Sequence, residues 1–351
     1  MAKQFLRIHD TSFASRPALD IGKYTSYNYS DMTWAPYGPH WRQARKIYLS
    51  EVFSENKLES FKHIHIEEEH NFHSRLHSFL ENQLFYENIY FVIISHLFVE
   101  WCDQYWGLDT WLSFLDLQGY VKKMKDLYKK LDKFHNYVID DHLDRRKADK
   151  DHFVPKDVVD VLLQLAEDPN LEVKLTRDCI KGLFQNLLVG GTDTSATTVE
   201  WTIHELIKQP RIIQKAKEEL DRVIGRNRWV EENDFSQLPY IEAIIKESFR
   251  LHPLATFLAP HYAIEDCNVA GYDISKGTTI LINTWSIGRD PNSWSEPEKF
   301  LPERFLGKEI DILGSNFALL PFGSGRRSQT GCPIEPGPWD LQSPGLGFRT
   351  R

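Results

Sequence analysis

Leu187-Leu188-Val189-Gly190-Gly191-Thr192-Asp193-Thr194-Ser195-Ala196-Thr197-Thr198 is the stretch whose reading decides the fold. Before it, Ile180, Leu183, Phe184, Leu187 and Leu188 recur at helical spacing; beyond it, Val199, Ile203, Leu206 and Ile207 resume the period. The pattern predicts one helix from a cap near Thr176 to the stop at Pro210, roughly 30 residues or about 45 Å long. Two adjacent glycines inside a helix cost about 2 kcal/mol against alanine. They also remove the side chains that hold a ligand away from the backbone. Asp193 and Thr194 follow directly, an acid beside a hydroxyl. A plainer reading fits this stretch alone equally well: a core helix with a glycine contact to a neighbour, and Asp193 and Thr194 turned to solvent.

At 351 residues and 41% hydrophobic content, the chain can bury a sizeable core, as one large or two ordinary domains. A formal charge of -8 argues against a general nucleic-acid binder. Cys102, Cys179, Cys267 and Cys332 are too far apart for zinc-ligand spacing and too few for a disulfide scaffold, which points to a reducing compartment. Met1 to Arg7 lacks the apolar core of a signal peptide. The most apolar run, Ile89 to Val99, contains Ser95 and His96 and falls short of the roughly 20 residues a membrane span needs, so it is expected to pack in a core and the chain to be soluble.

Taken in order, Pro36, Gly38 and Pro39 precede a helix in which Trp41 and Arg45 stand at i and i+4, an indole donor beside a guanidinium. That face is suited to a carboxylate; a packed tryptophan with a solvated arginine is the plainer reading. Residues 73–106 show no clear period. A stripe of Tyr120, Met124, Leu127, Tyr128, Leu131, Phe134 and Val138 predicts an amphipathic helix over Gly119 to Asp141, with a lysine face most simply solvated. The charged run from Asp140 to Asp151 reads as a loop before a short helix from Pro155 to about Glu167. Further helices are expected from Arg211 to about Ile224, ended by Gly225, and from near Ser236 to Pro253, the latter carrying Glu247 and Arg250 at i and i+3. Two alternating runs, Asn268 to Ile274 and Thr278 to Ile282, joined at Ser275-Lys276-Gly277, predict a β-hairpin.

Four features now stand in order: Trp41-x-x-x-Arg45, Gly190-Gly191-Thr192-Asp193-Thr194-Ser195, Glu247-x-x-Arg250 and Phe300-x-Pro302-Glu303-Arg304-Phe305. With Pro321-Phe322-Gly323-Ser324-Gly325-Arg326-Arg327 as a fifth, the chain resembles a cytochrome P450 over most of residues 1–327. Its wording is similar to the plant A-type branch, near flavonoid 3'-hydroxylase-like and trimethyltridecatetraene-synthase-like members. The resemblance implies a mainly α fold with a small β region, here in truncated form. Residues 1–327 would be a partial P450 domain and 328–351 an atypical irregular tail. It implies a haem-dependent monooxygenase that hydroxylates a small lipophilic plant metabolite, using O2 and electrons from NADPH delivered by a reductase. Trp41, Arg45 and His261 would donate to haem propionates, and Phe322, Gly325 and Arg327 would belong to the haem-binding loop. Gly190 and Gly191 would leave room for oxygen, and Asp193 and Thr194 would relay protons. Glu247, Arg250 and Arg304 would form a buried charge triad. Leu188, Val189, Thr192, Thr256 and Phe257 would line the substrate pocket, with core packing an equal alternative for each. Arg42, Lys46 and Arg326 would face the reductase.

The chain departs from the family's pattern at the iron ligand. The resemblance places a cysteine two residues after Arg327, where this chain has Gln329. Cys332 lies three residues further on, and each residue adds up to about 3.3–3.6 Å of reach, so it is a poor substitute. The family's proximal helix, C-terminal sheet and membrane anchor are not recognised in the chain. Its members face the cytosol from the endoplasmic reticulum membrane, whereas a chain without the anchor is expected in the cytoplasm. The alternative function is therefore an inactive remnant that folds without haem and at most binds a ligand or partner.

Overall fold

The computed structural model describes residues 1–54, 56–61, 64, 67, 71, 116, 119–148, 153–308 and 310–328. The patternless stretch 73–106 with its apolar run, and the residues Gln329 and Cys332, lie outside the described residues. The helices are α1 (Asp10–Phe13), α2 (Asp20–Thr25), α3 (Pro39–Ile47), α4 (Tyr120–Ala148), α5 (Val158–Leu165), α6 (Arg177–Lys208), α7 (Pro210–Val223), α8 (Pro239–Leu251) and α9 (Thr284–Gly288). Four short strands, β1 (His261–Tyr262), β2 (Cys267–Val269), β3 (Tyr272–Ile274) and β4 (Thr279–Ile280), complete a predominantly helical fold with a small antiparallel region. Among the described residues no helix is long and apolar enough to cross a membrane.

The chain divides into two compact units, and one of the crossings between them falls inside α6, between Asp193 and Thr194. The first unit holds Arg16–Phe61 and Gln83–Asp193. Its core gathers Ala44 and Ile47 from α3, Ile139 from α4, Val159, Leu162 and Leu163 from α5, and Ile180 and Leu183 from α6. The second unit holds Met1–Ser15, Lys62–Asn82 and Thr194–Arg351. Its core joins Ile212, Ala216 and Leu220 of α7 to Ile241, Ile244 and Ile245 of α8 and to Trp294, Phe300 and Phe305 of the irregular segment.

The long glycine-containing helix forms within a residue or two of its expected limits. Thr176 caps it, its hydroxyl accepting from Cys179 N at 3.2 Å. Pro210 then opens α7 at its first turn, where the missing N–H costs nothing. The start of α8 shifts from Ser236 to Pro239, after a 3₁₀ turn over Glu232–Gln237. Glu219 of α7 fixes that start, its carboxylate accepting from Tyr240 N at 3.0 Å and Ile241 N at 2.9 Å.

Two expectations are corrected. The charged run after Asp140 is not a loop: α4 continues through it to Ala148. Charges at helical spacing pair along the surface, Arg145 with Asp141 at 3.1 Å and Lys147 with Asp144 at 2.9 Å, while Arg146 reaches Glu167 at 2.7 Å. Such pairs favour the helix by a few tenths of a kcal/mol each, about 0.2–0.5. The hairpin also forms elsewhere. Asn268 to Ile274 folds back on itself, β2 pairing with β3 around Ala270 and Gly271, whose φ values are 52° and 88°. Asn268 secures the turn, accepting from Gly271 N at 3.1 Å and donating to Asp273 at 2.8 Å. The second run, as β4, pairs with β1 instead.

The buried face of α4 also differs from its apolar stripe, since full burial falls on Met124, His135, Ile139 and His142. His135 Nδ1 lies 2.7 Å from the Tyr27 hydroxyl, and its Nε2 has no hydrogen-bond partner among the described residues. Burial, then the charge of Lys181, lowers the His135 pKa to about 4. The folded imidazole is therefore neutral, and its stabilisation is complete above the unfolded pKa of 6.5. It is lost as the pH falls from 6.5 toward 4, by at most about 1.4 kcal/mol per pH unit. Chemical denaturation of wild type and His135→Gln should show a stability difference that shrinks by about 2 kcal/mol between pH 7 and 4.5. A difference that stays flat over this range would contradict a buried neutral histidine.

Candidate functional site

The residues singled out from the sequence divide between the two units. In the first unit, the turn of α6 leading to the glycines is clamped to the segment around residues 30–34. Asn186 Oδ1 accepts from Met32 N at 2.8 Å and Thr33 N at 3.0 Å, and its amide donates to buried Asp31 at 3.0 Å. Gln185 donates to the Thr25 carbonyl at 3.0 Å, and the Tyr48 hydroxyl donates to the Leu183 carbonyl at 2.7 Å. A Cβ on Gly182 would sit 3.1 Å from Asp31 N, so this face of the helix lies directly against backbone. None of these clamping residues was singled out from the sequence. Their signal is weak, because two amides on a helix and a tyrosine elsewhere read as ordinary polar positions until partners 130 residues or more away are known.

Beyond the clamp the helix opens. Among the described residues, a Cβ built on Gly190 or Gly191 would meet nothing within 4 Å apart from the helix itself. Leu188, Val189 and Asp193 are half-buried and Thr192 is exposed. Burial raises the pKa of the Asp193 carboxyl above its ordinary value. The Thr192 hydroxyl is engaged, donating to the Leu188 carbonyl at 2.7 Å. Trp41 is buried on α3 with the Arg45 guanidinium 5.6 Å from its ring centre, the one-face arrangement that their spacing predicts.

In the second unit, the Thr194 carbonyl accepts from Thr198 Oγ1 at 2.8 Å, and Thr202 Oγ1 in turn donates to the Thr198 carbonyl at 2.7 Å. His261 is buried in β1 with Nδ1 2.8 Å from the Phe13 carbonyl. Thr256 and Phe257 are tied by backbone to the start of α9, the Thr256 carbonyl accepting from Thr284 N at 3.0 Å and Phe257 bridging Asn283. The loop from Pro321 to Arg327 is held on both sides. Phe322 meets Phe249 edge-on at 5.4 Å, and Ser324 donates to the Gly314 carbonyl at 2.7 Å. Arg326 pairs with Asp10 at 2.9 Å, and Arg327 Nε donates to the Ala14 carbonyl at 2.6 Å. Gly325, with φ 73°, is pressed on the Leu6 carbonyl so closely that no side chain fits.

The structure brings Glu247, Arg250 and Arg304 together in the same unit. Glu247 takes Arg250 in a bidentate pair at 2.7 and 2.8 Å and Arg304 Nε at 3.0 Å, and it accepts Leu301 N at 2.7 Å. Arg250 extends to the carbonyls of Gly288, Pro297 and Lys299, and Arg304 to that of Ser295 at 2.7 Å. All three side chains are buried, and the Trp294 ring lies 5.5 Å from the Arg250 guanidinium. Glu247→Ala would leave two buried guanidiniums uncompensated and should cost about 3–5 kcal/mol. Gly288→Ala would drive its methyl into the Arg250 carbonyl and should cost about 1–3 kcal/mol. Urea denaturation measures both; a loss under about 1 kcal/mol for Glu247→Ala would contradict two guanidiniums that depend on this carboxylate for compensation.

Comparison with known proteins follows these motifs. The family model described as cytochrome P450 matches residues 88–333. Dimethylnonatriene synthase of Zea mays is 38% identical over 370 residues, covering 93% of this chain and 70% of that protein. Trimethyltridecatetraene synthase of Zea mays is 37% identical over 383 residues, covering 95% and 68%. Flavonoid 3'-monooxygenase of Arabidopsis thaliana is 41% identical over 371 residues, covering 95% and 71%. Among solved structures, a zebra fish cytochrome P450 with progesterone superposes with a TM-score of 0.72 at 24% identity, covering 94% of this chain and 80% of that one, a likeness of fold.

Proposed function

Because the chain belongs to the cytochrome P450 family, a family of monooxygenases, we propose that it keeps that family's folded core and a binding surface for a small lipophilic molecule, without the haem–thiolate chemistry. The observation that carries this reading is Gln329 at the iron-ligand position, two residues after Arg327. Haem in this family depends on an anionic sulfur that pushes electron density toward the O–O bond. A primary amide is neutral at every working pH and offers no such push. Among the described residues, Cys179 lies buried in α6 and Cys267 in β2, so neither belongs to the loop. The residues present do not fit a thiolate-ligated haem, and no oxygen-insertion step runs through them.

What supports the binding half is the open backbone at Gly190 and Gly191, next to half-buried Leu188 and Val189. With Thr192 these are the proposed contacts within their unit, and Thr256 and Phe257 those within the other. The relatives' names, a flavonoid monooxygenase beside dimethylnonatriene and trimethyltridecatetraene synthases, set the ligand class no finer than a small lipophilic plant metabolite. Asp193 and Thr194 would serve as a proton relay only in a chain with a working iron ligand. By the family's pattern Trp41, Arg45 and His261 would be the propionate contacts, and Phe322, Gly325 and Arg327 would shape the haem-binding loop. In the family, electrons pass from NADPH through a reductase at the endoplasmic reticulum membrane. Arg42 and Lys46 are exposed on α3, and Arg326 is exposed in its loop. Arg42 lies 3.9 Å from Glu172 and Arg326 2.9 Å from Asp10, so two of these three charges are partly neutralised already.

The test is a pyridine haemochrome assay with a reduced-CO difference spectrum on the full chain, beside an NADPH-plus-reductase turnover assay. The expected result is no thiolate-type Soret band, no hydroxylation of a flavonoid, and little restoration in Gln329→Cys alone. Saturable quenching of tryptophan fluorescence by the same flavonoid is expected to persist. Robust NADPH-dependent hydroxylation that disappears in Cys332→Ala would overturn the reading and establish Cys332 as the ligand.

A further inference from the structure

We propose that His142, Asp157 and Asp160 form a binding site for a divalent cation of the zinc type, joining the end of α4 to the start of α5. One imidazole nitrogen and one oxygen from each carboxylate lie within 4.8 Å of one another. His142 Nε2 stands 2.8 Å from Asp157 Oδ2 and 4.0 Å from Asp160 Oδ1. Around tetrahedral zinc, with bonds of about 2.0–2.2 Å, neighbouring ligand atoms lie roughly 3.4 Å apart, between these two separations. Seating an ion therefore takes side-chain shifts of about half an ångström.

Two observations beyond the cluster's composition point to a cation. The first is the orientation of the ring. His142 Nδ1 lies 2.7 Å from the Val138 carbonyl, which accepts only, so Nδ1 carries the proton of the neutral imidazole. The Nε2 lone pair then faces two carboxylates, an arrangement that demands a positive charge, either a second proton or a metal. A backbone carbonyl behind the ring is the support that orients metal-binding histidines. The second is Asp160. Its side chain is 2% exposed; its Oδ2 accepts from Lys156 N at 3.0 Å, while Oδ1 faces His142 Nε2 at 4.0 Å, beyond hydrogen-bond reach. Buried carboxylate oxygens normally find a donor or an ion.

The oxygens divide their work without conflict. Asp157 Oδ1 caps α5 by accepting from Asp160 N at 3.1 Å, which leaves Oδ2 for the ion. No lysine or arginine pairs with either carboxylate among the described residues; Arg145 and Arg146, on the same helix, engage Asp141 and Glu167. A neutral imidazole and two carboxylates match a divalent charge, and solvent would complete the coordination. The ion would act as a staple between α4 and α5, closing the connection between them.

The experiment uses the full chain, stripped with chelator and titrated with Co2+ for its visible d–d absorption and with Zn2+ for its thermal midpoint. Expected are one cobalt per chain, with the absorption of a low-coordinate nitrogen/oxygen site, and a Tm that rises with zinc concentration. His142→Gln and Asp157→Asn should lose both signals while keeping the far-UV circular dichroism of the parent. Asparagine caps a helix as well as aspartate does, so Asp157→Asn decides the matter if His142→Gln fails to fold. Absence of both signals in the parent would overturn the proposal in favour of an imidazolium held by two carboxylates. So would an intense sulfur-to-cobalt band, or signals that survive in Asp157→Asn.

Discussion

The carboxylate of Glu247 is the point on which the C-terminal half of the chain depends. Residues 284–306 contain little regular structure, so their backbone carbonyls have no ladder to bond to and must find donors elsewhere. The guanidiniums of Arg250 and Arg304 supply those donors, reaching Gly288, Ser295, Pro297 and Lys299. Two buried cations so close together would repel one another without the anion between them. Glu247 is therefore what allows two arginines to organise an irregular segment by its main chain, with little demand on the side chains along it. Trp294, Phe300 and Phe305 then pack the segment against α8.

This arrangement is indifferent to the residue that stands at position 329. The charge cluster, the capped helices and the clasp on the loop are all built from residues before it, and all are intact. A fold of this family is held by interactions that are separate from the position the family's pattern gives to the iron ligand, so the one does not depend on the other. The glycine pair of α6 shows the same separation. The clamp through Gln185 and Asn186 fixes the helix, while the glycine backbone beyond it meets none of the described residues, at a cost in helix propensity.

Much of this was legible in the residues. Periodicity with a capping threonine and a stopping proline located α6 closely, since both ends of that helix are set by local chemistry. The triad could be anticipated only as a resemblance; its geometry depends on residues more than 50 positions apart. The continuation of α4 past Asp140 escaped notice because a dense run of charges looks alike in a loop and on a solvated helix face, and the deciding partners, Glu167 and Arg177, come from elsewhere. The hairpin was misplaced because two glycine-containing turns, at Gly271 and Gly277, compete for the same strands. Positive φ at Ala270 and a side chain from Asn268 settle the choice. His135 and His142 went unremarked for a related reason: a histidine on an apolar face announces neither its burial nor its partners.

The clasp between the loop and the amino terminus bears on the order in which the protein can be made. Arg326 N bonds Asp10, and Arg327 bonds Ala14, across separations of 316 and 313 residues. One compact unit thus contains both Met1–Ser15 and everything from Thr194 onward, whereas the other is complete once Asp193 has been synthesised. At ribosomal speeds of about 5–20 residues per second, the opening segment, with buried Leu6 and Phe13, waits roughly 15–60 s for its partners to emerge. During that interval its apolar side chains have no native home. A nascent chain of this design is thus exposed to chaperones and to misassociation through residues 1–15 after the other unit has been synthesised.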